Sequence, residues 1–112
     1  MPMPEIDKES RKRPLCYDPK RKQFIHFPEI VSGEAEIVPV DDLSDDDLKV
    51  LVFRRWEVLP EDTTVQAISG PPMRRDDVIA AIEKDMPFGK MTVEAEKIYL
   101  RRLLQEIQEN LE

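Results

Sequence analysis

The chain has 112 residues, 40% hydrophobic and 37% charged, with a formal net charge of -7; that suffices for one modest core, is too short for two domains, and is too apolar for wholesale disorder. Its longest apolar run, Val78 to Ile82, is too short to cross a bilayer, and the start Met-Pro-Met-Pro-Glu lacks a signal peptide's apolar stretch, so a cytoplasmic protein without membrane contact is expected. One cysteine and one histidine exclude an internal disulfide and leave too few soft ligands for an ordinary zinc site.

Charge divides the chain, at +3 over residues 1–22, -6 over 23–60 and -4 over 61–112. Residues 1–22 combine Pro2, Pro4, Pro14 and Pro19 with many charges and no sustained apolar period, the pattern of a flexible basic leader. A single acidic domain over 23–112 is expected to follow. Gln23 to Phe27 is aromatic and β-branched and stops at Pro28, which predicts a strand. After Ser32-Gly33, the alternating run Glu34 to Val40 predicts a second strand, which Pro39 confines to a sheet edge because it has no amide proton.

Ser44 predicts a helix start: its hydroxyl can cap, Asp45 to Asp47 favour the positive end of the dipole, and Leu43 can staple to Leu48. Leu48, Leu51, Val52 and Trp56 form an apolar arc that Val50 and Phe53 widen, so residues 50–59 read either as a broadly buried helix or as a turn into strand. Thr63 to Ile68, between Pro60 and Ser69-Gly70-Pro71-Pro72, predicts a short strand. Val78, Ile79, Ile82 and Met86 share about 100° of arc, and Pro87 with Gly89 closes that helix. Thr92 can cap a last helix whose stripe is Val93, Leu100, Leu103, Leu104, Ile107 and Leu111. The fold class predicted is α+β: a small antiparallel sheet, one helix after Ser44, and a C-terminal antiparallel helical hairpin.

Chemistry-bearing patterns are sparse. The aspartates of Asp41 to Asp47 fail the calcium-loop template, with Asp47 where glycine is required and Phe53 where a bidentate glutamate is required, so helix capping is the preferred reading. Gly89-Lys90 lacks the hydroxyl that a phosphate loop needs, because Met91 stands there. His26 has no evident nucleophile or metal partner and is assigned a surface or packing role. Cys16, in the leader, is expected to be an exposed and inert thiol. No catalytic residue, metal or cofactor is assigned.

Two partner surfaces remain. Arg54 and Arg55 beside Trp56 can recognise an anionic or aromatic surface, and Ile98 with Tyr99 can extend a face for a protein partner or a second copy of the chain. The competing reading makes Trp56 a core anchor and pairs the arginines with Asp45 to Asp47 or Glu57. The alternative surface is Arg11, Lys12, Arg13, Lys20, Arg21 and Lys22, with Tyr17 and Phe24 nearby, which would carry any nucleic-acid contact through the leader. The expected function is a non-enzymatic protein-interaction or regulatory module.

Overall fold

The computed structural model describes residues 10–66 and 70–111. A 3-10 turn at Ser10–Lys12 leads into strand β1 (Cys16–Asp18), which pairs antiparallel with β2 (Gln23–Ile25) in the register Cys16 with Ile25 and Tyr17 with Phe24. The turn between them closes because Asp18 Oδ1 accepts from the backbone N–H of Lys20 (3.0 Å) and Arg21 (3.3 Å), with Lys22 at φ 55°. Pro14, Leu15, Cys16 and Tyr17 are buried. The expected free leader therefore fails from residue 10 onward: Pro14 and Pro19 flank or turn a hairpin instead of preventing one, and residues 1–9 lie outside the described residues.

The strand predicted at 23–27 ends early, because Phe27 begins helix α1 (Phe27–Ser32), with Pro28 in its first turn. Glu29 Oε1 accepts from the His26 backbone N–H (3.1 Å) and lies 3.1 Å from His26 Nδ1, while Gly33 ends the helix at φ 84°. The second predicted strand, 34–40, does not form. Its place beside β2 is taken by β1, Pro39 cannot donate, and the segment runs irregularly to a 3-10 turn at Val40–Asp42 while Ala35, Ile37, Val38 and Val40 still pack on the core.

Helix α2 (Asp45–Glu57) starts as expected, with Ser44 Oγ accepting from the Asp47 N–H (3.1 Å), and it continues as helix through residue 57. Its end is held by Arg75, whose Nη1 donates to the carbonyls of Leu59 (2.8 Å) and Glu57 (3.1 Å). The predicted strand near Thr63 is shorter, β3 (Thr64–Val65) against β4 (Met73–Arg74), and Ala67 and Ile68 lie outside the described residues.

Helix α3 (Arg75–Glu83) is followed by α4 (Pro87–Leu111), which packs on α3. Pro87 and Gly89 were expected to form the break, but they open α4 instead. Proline suits a first helical position, and Gly89 lets the helix press on α3: a Cβ there would overlap the Ala81 carbonyl and sit 2.6 Å from Ile82 N. Thr92 is consequently inside the helix, its hydroxyl donating to the Phe88 carbonyl (2.9 Å). Met86 and Leu111, expected in the core, are about half exposed, whereas Val78, Ile82, Leu100, Leu103, Leu104 and Ile107 are buried.

The class is α+β, with two small two-stranded antiparallel sheets and four α-helices among the described residues. One core joins α2, α3 and α4 to the β1–β2 hairpin and α1. No helix among the described residues is long and apolar enough to cross a membrane.

Candidate interaction site

Helical spacing puts Arg55 on the inner face of α2. Leu48, Leu51 and Val52 are buried, and Arg55, one turn after Leu51, follows them inward to 3% exposure. A guanidinium there must be paired, since an isolated buried charge costs several kcal/mol. The partner is Glu96 of α4, which occupies the apolar arc between Val93 and Leu100; Arg55 Nε donates to Glu96 Oε2 at 2.8 Å, and Arg55 Nη1 donates to the Pro14 carbonyl at 2.8 Å.

The segment before β1 supplies the third member. Arg13 Nη2 donates to Glu96 Oε1 at 3.1 Å, and Arg13 Nε donates to the Arg55 carbonyl at 2.9 Å. Each arginine thus bonds both the shared carboxylate and the backbone of the other's segment. The cluster laces residues 13–14 to the C-terminal half of α2 and the middle of α4. The Arg13 side chain is 17% exposed and that of Glu96 12%. Burial, and next the neighbouring Arg55 charge, lower the Arg13 pKa against the opposing pull of Glu96. Two cations share one anion, and the site keeps a positive excess.

These groups line an open groove of about 400 Å³, whose walls are Leu15, Trp56, Thr92, Ala95, Tyr99 and Leu103. The guanidinium carbon of Arg13 lies 5.8 Å from the Trp56 ring centroid, and that of Arg55 lies 5.8 Å from the Tyr99 centroid. Trp56 Nε1 is buried without an acceptor among the described residues. Tyr99 is 52% exposed, so it forms the rim.

Of the residues assigned to partner binding, the groove gathers Arg55, Trp56 and Tyr99. Arg54 points elsewhere, exposed, with Nη1 3.8 Å from Glu57 Oε1 and its guanidinium 5.7 Å from the Phe24 ring centroid. Ile98 is exposed beside Tyr99 but does not line the groove. The pairing proposed for the arginines with Asp45 to Asp47 is replaced, for Arg55, by Glu96; Asp45 to Asp47 occupy the first turn of α2.

The basic block is divided. Arg13 is inside the groove, Arg11 packs its guanidinium 5.9 Å from the Phe27 ring centroid, Lys12 is exposed, and Lys20, Arg21 and Lys22 are exposed at the hairpin turn, Arg21 reaching Asp18 Oδ2 at 3.9 Å. Cys16, expected to be exposed, is fully buried, and burial raises its thiol pKa to about 11 despite a backbone hydrogen bond from Val38. Among the described residues no group of three or more His, Cys, Asp or Glu side chains is placed to hold a metal ion.

Leu15, Glu96 and Leu103 were not among the expected site residues. Glu96 was detectable: a carboxylate inside an apolar stripe calls for a buried cation. Comparison with protein-family models, curated proteins and solved structures gives no match to this chain.

Proposed function

We propose that the chain is a non-enzymatic protein-interaction module that docks its partner along the groove and the adjoining outer face of α4. The observation that carries this reading is the exposure of large apolar side chains on one side of that helix. Met91 is 65% exposed and Ile98 and Tyr99 52% each, and helical spacing sets Met91, Ala95, Ile98 and Tyr99 within about 100° of arc, from the far side of the helix at Met91 and Ile98 round to the edge of the core stripe at Tyr99. A contiguous exposed apolar surface beside a rigid polar cluster is a common docking arrangement. The charged groups in the groove are bonded to one another, and the Thr92 hydroxyl to its own helix, which favours recognition over turnover. An antiparallel arrangement of α3 and α4 belongs to this reading as its scaffold, supported by their short connection and their packing.

Photo-crosslinking tests it. A benzoylphenylalanine placed at Tyr99 in the full chain is expected to capture a discrete protein in cells, and the same group at Lys20 is not. Capture at Lys20 alone, or nothing at either position, would contradict the reading. A nucleic-acid role through the basic segment retains the exposed Lys12, Lys20, Arg21 and Lys22, but Arg13 is engaged by Glu96 and the chain as a whole is acidic. The protein reading is therefore preferred.

A further inference from the structure

We infer that the occupant of the groove is an acidic, apolar peptide segment of a partner protein, seating a carboxylate against Arg13 and Arg55 and an apolar side chain among Leu15, Trp56, Tyr99 and Leu103. This rests on the docking reading above and specifies its chemistry.

Charge complementarity selects the carboxylate. Two guanidinium groups and one carboxylate line the groove, and covering them with a partner removes water from a cluster that already has one positive charge in excess. A purely apolar segment would deepen that burial without compensation, and a basic one would add to the excess. An incoming carboxylate brings the count to two and two. Burial and then the positive field of Arg55 lower the Arg13 pKa, and an anion in the groove opposes the second of these causes.

The aromatic walls select against a nucleobase. Trp56 and Tyr99 each already have a guanidinium near the ring, both at 5.8 Å from the centroid, so stacking a base there would compete with groups that also hold Glu96 and the backbone. An aliphatic side chain can pack against the ring edges, Leu15 and Leu103 without disturbing those bonds.

The test is an amide and indole NMR titration of the full chain with four probes. These are acetyl-Glu-Leu-Glu-Leu-amide, its Gln-Leu-Gln-Leu and Glu-Ala-Glu-Ala counterparts, and an octathymidylate. The expected result is saturable shifts from the first peptide at Ala95, Tyr99 and the Trp56 indole, with binding about ten-fold weaker for the glutamine peptide, as loss of a charge-assisted hydrogen bond implies. The alanine peptide is expected to bind more weakly than the first, as is the first peptide to a Tyr99→Ala chain whose dispersed amide spectrum shows that it is folded. Equal affinity of the acidic and glutamine peptides, shifts confined to another surface, or tighter binding of the oligonucleotide in the groove would overturn the inference. So would the same shifts appearing with protein concentration alone, which would assign the groove to a second copy. If no peptide moves the groove while crosslinking at Tyr99 still captures a protein, the occupant's chemistry is wrong and the docking reading survives.

Discussion

Glu96 and Arg101, little more than one turn apart on α4, each tie that helix to distant chain, and they do so in opposite surroundings. Arg101 grips Asp41 through Nε (3.0 and 3.2 Å) and Nη2 (2.7 Å), a well-formed fork, but the two side chains are 48% and 53% exposed. Glu96 holds Arg13 and Arg55 with fewer and no shorter bonds, but the three side chains are only 12%, 17% and 3% exposed. The buried cluster borders a cavity of about 400 Å³ and the exposed pair one of about 420 Å³. Geometry alone would rank the Asp41 pair first. Burial reverses the ranking, because solvent screens the exposed pair whereas a broken buried pair strands a desolvated charge.

The largest expected effect is at Arg55. Arg55→Ala leaves Glu96 with one partner and the Pro14 carbonyl without its donor, and a loss of about 3–5 kcal/mol in chemical denaturation is expected; a loss below about 1 kcal/mol would erase the contrast. Gly89→Ala separates packing from charge. The helix gains up to about 1 kcal/mol in propensity, yet the Ala81 backbone must move, so a net loss of about 2 kcal/mol is expected, and a gain would show that α3 and α4 are loosely seated.

Ser44→Ala calibrates a local interaction with no long-range tie. Removing the acceptor for the Asp47 N–H should cost about 1 kcal/mol by the same measurement. Asp41→Asn comes last: at physiological salt its thermal midpoint should stay close to the parent's, and any difference should vanish at high salt. The hydrogen bond from Arg101 lowers the Asp41 pKa. Its small contribution is therefore present above the ordinary carboxylate range and lost as pH falls through its depressed folded value, so parent and variant should converge in strong acid. A large deficit in Asp41→Asn at neutral pH would make the exposed pair the equal of the buried one.

The contrast also marks what was legible in the sequence. Local signals read well: Ser44 caps α2, the Leu100 to Ile107 stripe is buried, and the class is α+β. Signals depending on distant partners did not. Pro14 and Pro19 resemble the punctuation of an unfolded tail until Ile25 is known to pair with Cys16, and Glu34 to Val40 reads as a strand until β1 takes its place. Pro87 and Gly89 resemble a break because glycine's need for close approach is visible only from Ala81. The candidate groove was half legible: Arg55, Trp56 and Tyr99 were named for partner binding, but Arg13 was assigned to a leader, and Glu96 was not assigned to it although its place in the apolar stripe marked it.

That residues 13–17 belong to the core, pinned there by the buried charge cluster, is tested most directly by the pH dependence of Cys16 alkylation in the native chain. Burial raises this thiol to about 11, whereas an unfolded thiol ionises near about 8.5. Native stability is thus unaffected by this group below about pH 8.5 and falls as pH rises toward 11. The expected result is negligible native reactivity at pH 8, released by denaturant. Rapid alkylation of the folded protein at pH 8, with a midpoint near 8.5, would contradict it and return this segment to solvent.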